Sequence, residues 1–235
     1  MENVYSYIIL IITLFLFVYT IIQKPRIFYK QHINKHIFNN NEYVIYEINN
    51  VISPEECKIL IDTSTPKLKR SGVISKNPIS EVRTSYNTFL HLKMESSQVQ
   101  KILNRINDLT MKLSNKPMEN QEPLQVVKYT KDQYYKEHYD CCVPLESPLC
   151  KRDNEINGFR HSTLLIYLND VEEGGETEFP IINYKFKPKL GSAIYFFNLN
   201  KNETNFHPSS KHAGLPPIKG EKWVCNKWIR TKKYM

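Results

Sequence analysis

No Cys-x-x-Cys pair occurs among the five cysteines, and the adjacent Cys141-Cys142 is a poor spacing for zinc, so zinc-ribbon and zinc-finger classes are set aside. Five is odd, so at least one thiol stays free if the others pair. Cys142 and Cys150 could close a loop in an oxidising compartment, and a fully reduced chain fits the residues equally well. There is no internal repeat and no low-complexity tract longer than Asn39-Asn40-Asn41, which excludes a solenoid. A dense basic stripe is missing too: the net charge is +8, but Lys and Arg are scattered from Lys24 to Lys233. That pattern suits a solvated lysine surface better than a nucleic-acid footprint. With 41% hydrophobic residues and 15 tyrosines, the 235 residues suffice for one domain with a substantial core and a small appendage.

One region lacks charge altogether. Tyr5 to Ile22 is an eighteen-residue run in which twelve positions are Ile, Leu, Phe or Val. As a helix it is about 27 Å long, close to the hydrocarbon thickness of a bilayer. It has no polar face for solvent and no small-x-small cleavage site before Lys24-Pro25-Arg26, so residues 1–23 are expected to be a membrane anchor rather than a cleaved signal. Residues 24–42 read as a linker.

From residue 43 onward, signals for a folded domain follow one another. Tyr43-Val44-Ile45-Tyr46 predicts a strand. Ser53-Pro54-Glu55-Glu56 predicts a helix start, with Ser as N-cap, Pro at the first helical position and acids at the positive end of the dipole; that helix runs to about Ser64, before Pro66. Residues 70–82, with Gly72 and Pro78, predict a loop, and 83–90 a strand. Val99, Ile102, Leu103, Ile106 and Leu109 mark the apolar stripe of a second helix over 97–113. Short strands are then expected at 124–129, 134–140, 162–168, 191–197 and 222–230. Their succession without intervening helices predicts a mostly β protein, a double-stranded β-helix or jelly roll buttressed by the two N-terminal helices. Residues 141–160 read as a long polar loop, of the kind that is usually functional.

Within that series, Gln133 to Asp140 carries the chemistry. Side chains two apart on a strand point to one face, so His138 and Asp140 would aim an imidazole nitrogen and a carboxylate at one point. Two His and one carboxylate on one face hold an iron(II) centre while leaving positions open, so a second His is required. His212, in Ser210-Lys211-His212-Ala213-Gly214, is the best candidate, ahead of His207 in the polar stretch Asn205-Phe206-His207-Pro208.

Three separated segments in order carry a resemblance. They are Leu124 to Tyr129 with Gln133 to Asp140; Thr163 to Leu168 with Asp170-Val171-Glu172-Glu173-Gly174-Gly175-Glu176-Thr177; and His212-Ala213-Gly214 with Lys219-Gly220-Glu221-Lys222-Trp223 and Lys227-Trp228-Ile229-Arg230. Over about residues 43–230 the chain resembles the prolyl 4-hydroxylases among iron(II)/2-oxoglutarate dioxygenases, in their short single-domain form. The resemblance implies a dioxygenase domain over 43–235, with His138, Asp140 and His212 as iron ligands. It implies that Lys222 pairs with the distal carboxylate of 2-oxoglutarate and that Tyr129 and Thr163 hydrogen-bond the same co-substrate. Arg83 and Arg160 fall where the family meets its peptide. Dioxygen is the second co-substrate and ascorbate the family's reductant. The implied reaction is proline hydroxylation coupled to conversion of 2-oxoglutarate to succinate and carbon dioxide. A dianionic co-substrate does need a cation inside the barrel, and Lys222 beside Trp223 supplies one.

The partner so implied is a proline-containing peptide, with no second subunit; a peptidyl-lysine or nucleic-acid hydroxylase of the same fold, and a non-catalytic membrane-tethered binding module, are the alternatives. The loops 70–82 and 141–160 flank the two arginines and could close over an extended peptide. Orientation signals conflict. Lys24, Arg26, Lys30 and Lys35 on the C-terminal flank favour a cytosolic domain by the positive-inside rule. Family habit and the glycosylation acceptor Asn202-Glu203-Thr204 favour the secretory lumen, which is the expectation retained.

Overall fold

The structure, a computed structural model, describes residues 32–38, 42–72, 81–143 and 147–235. The expected anchor and most of the 70–82 loop lie outside the described residues. Among those described, no helix is long and apolar enough to cross a membrane.

Two predicted helices form as read. Helix α1, Pro54–Ser64, begins with a reciprocal capping box: the Ser53 hydroxyl accepts from the Glu56 amide at 3.2 Å, and the Ser53 amide donates to the Glu56 carboxylate at 2.8 Å. Helix α2, Ser97–Ser114, starts at an Ser96 cap and ends where Asn115 turns left-handed at φ 53°. One α-helix was unforeseen, since residues 141–160 hold a helix α3, Pro148–Asn157, inside the expected loop. Its polar sequence gives no apolar stripe for a periodicity reading to find. Pro148 at its first position is the one local signal for its start.

The strands are β1 Ile33–Phe38, β2 Tyr43–Ile48, β3 Lys69–Arg70, β4 Tyr86–Leu90, β5 Leu124–Tyr129, β6 Tyr135–His138 and β7 Arg160–Tyr167. They continue with β8 Glu173–Gly174, β9 Thr177–Phe179, β10 Tyr184–Phe186, β11 Ala193–Phe197, β12 His212–Gly214, β13 Pro217–Lys219 and β14 Lys222–Arg230. An eight-stranded sheet runs β1-β2-β11-β7-β14-β5-β4-β3, a four-stranded sheet runs β10-β9-β12-β6, and β13 pairs with β8. This is the expected jelly-roll core with its helices. Strand β1 falls in the stretch read as linker, where it pairs antiparallel with β2 from Ile33↔Ile48 to Phe38↔Tyr43. Its sequence, Ile-Asn-Lys-His-Ile-Phe, alternates too weakly to stand out.

Alternation along the central strands builds two cores, one on each face of the large sheet. Leu164 and Ile166 of β7, Val126 of β5 and Cys225 and Ile229 of β14 pack with Leu60 of α1 and Val99, Ile102 and Ile106 of α2. The intervening Leu165 and Tyr167, Val127 and Tyr129, and Val224 point the other way, toward Phe179, Phe186 and Phe196. Strands buried on both faces read as nearly continuous apolar runs, as Leu164-Leu165-Ile166-Tyr167 does. The same parity places Lys222, two residues before Val224, on the inner face.

Candidate active site

Strands β6 and β12 pair with His212 opposite His138, which brings two residues 74 positions apart in sequence to one spot. Asp140 lies just past the end of β6, in a bend rather than in the strand expected over 134–140. It still faces the histidines: Oδ1 is 3.8 Å from His138 Nε2 and Oδ2 is 3.9 Å from His212 Nε2. Ligand atoms of the three residues all lie within 4.8 Å of one another.

Each imidazole is oriented through its other nitrogen. Nδ1 of His138 meets the Lys136 carbonyl at 2.8 Å and Nδ1 of His212 meets the Ser210 carbonyl at 2.9 Å. A carbonyl can only accept, so Nδ1 carries the proton and Nε2 presents a lone pair. Tyr135 stacks on His138 with centroids 3.5 Å apart. Burial opposes ionisation of Asp140, yet His212, His138, Arg160 and the Thr163 hydroxyl outweigh it and hold the carboxyl down at about 2. Burial, reinforced by His212, pushes His138 well below the ordinary histidine range, toward the neutral form that binds metal.

A cleft of about 630 Å³ opens onto this triad, with Tyr129, Lys222, Thr177 and Val224 in its wall and Arg83, Arg160, Tyr135 and Trp228 around it. Lys222 is 1% exposed. Its Nζ reaches the Glu176 carbonyl at 3.4 Å and lies 5.5 Å from the Tyr129 ring centroid, and no carboxylate pairs with it at salt-bridge distance among the described residues. Burial lowers its pKa from 10.5 to about 7, which Glu176 only partly offsets. A buried ammonium without a counter-ion is costly unless an anion arrives to meet it. Tyr129 stands directly across from it in the β5–β14 register. Iron(II) fits the donor set of two neutral imidazoles and a carboxylate, and 2-oxoglutarate fits the cation waiting in the same cleft.

Thr163, expected near the co-substrate, is placed behind Asp140: its hydroxyl donates to Oδ2 at 2.6 Å and accepts from Asn198 Nδ2 at 2.9 Å. Arg83 donates to Ser85 Oγ and Gln125 Oε1 and lies over the Tyr135 ring at 4.8 Å. Arg160 stacks on Trp228 at 3.6 Å and forks onto Glu122 through Nε at 2.7 Å and Nη2 at 2.9 Å.

Comparison with known proteins decides the family. The profile of the 2OG-Fe(II) oxygenase superfamily matches residues 124–230. A candidate prolyl 4-hydroxylase of Acanthamoeba polyphaga mimivirus is 38% identical over 189 residues, 80% of this chain and 75% of that protein. The chain belongs to the prolyl 4-hydroxylase family of 2-oxoglutarate- and iron(II)-dependent oxygenases. Prolyl 4-hydroxylase 13 of Arabidopsis thaliana is 32% identical over 81% of this chain and 72% of its own. Among solved structures, the 2OG complex of the viral collagen prolyl hydroxylase of Paramecium bursaria Chlorella virus-1 superposes with a TM-score of 0.60. It is 30% identical and covers 79% of this chain and 94% of that one. This oxygenase is thus a dioxygenase whose cofactors are iron(II), for which His138, Asp140 and His212 form the donor set present, and 2-oxoglutarate.

The sequence reading missed Glu122. This carboxylate, 3% exposed, pairs with Arg160 and with Arg230 Nε at 2.6 Å, and Arg230 continues to Asp153 of α3 at 2.7 Å. Burial raises the Glu122 pKa, but the two guanidiniums prevail and leave it below its ordinary 4.5. A depressed folded-state pKa contributes stability that is present above the unfolded value of about 4.5 and lost as pH falls through the lower folded value. Glu122→Gln should therefore cost about 3 to 5 kcal/mol at neutral pH, because Arg160 is left without its carboxylate and Arg230 keeps only Asp153. Denaturant unfolding at pH 7 and pH 4 should show the deficit shrinking in acid; an equal deficit at both would refute the pairing.

Proposed function

We propose that this oxygenase hydroxylates peptidyl proline at carbon 4, and that its substrate is an extended, proline-rich or collagen-like segment. The observation that carries this is the cleft itself, in which stacked arginine–aromatic pairs flank the iron triad of a chain similar over most of its length to prolyl hydroxylases. A polyproline II segment has no internal hydrogen bonds, so its carbonyls are free to accept from guanidinium donors that Glu122 leaves over on Arg160, and from Arg83.

Bound iron and 2-oxoglutarate supply the oxidising chemistry, converting the co-substrate to succinate and carbon dioxide as dioxygen is consumed. The chain's part is positional. His138, Asp140 and His212 fix one face of the metal, Lys222 and Tyr129 hold the far carboxylate of 2-oxoglutarate, and the apolar inner wall of Leu165 and Val224 limits water. Incubation with proline-rich and collagen-like peptides should add one oxygen to proline in step with succinate. Oxidation of lysine or of nucleobases, with proline untouched, would leave the dioxygenase standing and remove this substrate.

The same reading places residues 43–235 in the secretory lumen, held by a membrane anchor over residues 5–22. Cys142 and Cys150 are joined in a disulfide, which supports an oxidising compartment, while Cys57, Cys141 and Cys225 are buried free thiols. Asn202 of the glycosylation acceptor is exposed. Protease added to intact microsomes should spare the domain; its complete digestion would put the domain in the cytosol.

A further inference from the structure

The two carboxylate oxygens of Asp140 face different histidines of the triad, Oδ1 at 3.8 Å from His138 Nε2 and Oδ2 at 3.9 Å from His212 Nε2. A carboxylate so placed can bind with one oxygen or with two. Two-oxygen ligation would occupy a coordination position that the co-substrate or dioxygen needs. Something in the chain has to choose.

The Thr163 hydroxyl has one proton and two acceptor sites. Asn198 Nδ2 donates to it at 2.9 Å, so its own proton goes to the neighbouring acceptor, Asp140 Oδ2 at 2.6 Å. Thr163 and Asn198 are both 0% exposed, so water does not compete for these bonds. Asn198 is itself fixed by its backbone. Its backbone amide donates to the His161 carbonyl at 2.8 Å and its backbone carbonyl accepts from the His207 amide at 2.8 Å, while the His207 carbonyl accepts from the Ser210 hydroxyl at 2.7 Å. Ser210 is also the residue whose carbonyl orients His212. The polar relay therefore ties the carboxylate ligand to the segment that sets a histidine ligand.

We propose that Asn198 and Thr163 are positioning residues that hold Asp140 as a one-oxygen metal ligand, engaging Oδ2 so that Oδ1 meets the iron and the remaining positions stay open. This rests on the iron reading of the triad. It gives Thr163 a task distinct from co-substrate binding and gives Asn198 a task that no sequence motif marks.

The test is metal binding by the full chain without 2-oxoglutarate, using Mn(II) for affinity and the visible spectrum of Co(II) for coordination number. Thr163→Val keeps the shape and removes the proton; it should weaken Mn(II) binding by about 10- to 100-fold and raise the Co(II) coordination number. Thr163→Ser should restore both to near wild type. Asn198→Asp replaces the donor with an acceptor that captures the Thr163 proton, so it should weaken binding as Thr163→Val does. Thermal unfolding of the metal-free variants separates this from misfolding, since Thr163→Val exchanges the hydroxyl for a methyl of similar size while Thr163→Ser keeps the hydroxyl and loses the methyl. Thr163→Val with wild-type affinity and an unchanged Co(II) spectrum overturns the proposal while the iron reading survives. A wild-type chain that binds neither metal overturns both.

Discussion

Replacing His212 with Ala is expected to abolish iron-dependent succinate formation, while His207→Ala retains most of it. The two histidines are five residues apart and chemically identical, so position alone separates them. His212 is the first residue of β12 and lies across from His138 in the sheet, with Nε2 pointing at Asp140. His207 stacks on Tyr43 at 4.6 Å and uses Nδ1 to accept from the Ser209 amide, which makes it the cap of a short turn. Loss of His212 leaves a His and a carboxylate, too few ligands to hold iron(II) against water. The metal content of purified His212→Ala should fall with its activity, whereas that of His207→Ala should match wild type. A dead His207→Ala that has lost its iron, beside an active His212→Ala, would reverse the ligand assignment.

The triad was legible because a strand's two-residue period brings His138 near Asp140, and the His-Ala-Gly segment falls downstream in family order. The reason it works is less local than that. Asp140 sits in a bend beyond β6, so its aim comes from the hydrogen bond to Thr163 rather than from strand periodicity. The double-faced core was also readable, since β5, β7 and β14 are apolar runs of strand length. Glu122 and Asn198 were not readable. Neither has a motif, and each acquires its role from residues that are distant in sequence: Arg160 and Arg230 for the first, Thr163 and His161 for the second. Helix α3 was hidden for a different reason. It is polar on most sides and buries Cys150, so it is held by the disulfide and by the Asp153–Arg230 ion pair rather than by an apolar stripe.

Lys222→Ala is expected to raise the dissociation constant for 2-oxoglutarate by roughly a hundredfold to a few thousandfold, the equivalent of about 3 to 5 kcal/mol for one partner lost from a buried ion pair. Iron affinity should change little. A second buried lysine supplies the control. Lys227 is also lowered to about 7 by burial, but it sits five residues on, with the opposite strand parity, and its Nζ donates to the Glu122 carbonyl at 2.6 Å. Lys227→Ala should therefore leave 2-oxoglutarate binding nearly unchanged. The low pKa of Lys222 adds a pH signature with a definite sign. In the ligand-free protein the side chain is charged below about pH 7 and neutral above it. The arriving dianion favours the charged form, so binding above pH 7 must take up a proton, and affinity should fall by up to about tenfold per pH unit as pH rises past that point. Calorimetry at pH 8 in buffers of different ionisation enthalpy should register uptake approaching one proton for wild type. Lys222→Met should show no such uptake and a flat pH dependence over the same range. Wild-type binding that is independent of pH from 6.5 to 9, or a Lys222→Ala enzyme with an unchanged co-substrate Michaelis constant, would assign the anchoring charge to another cation.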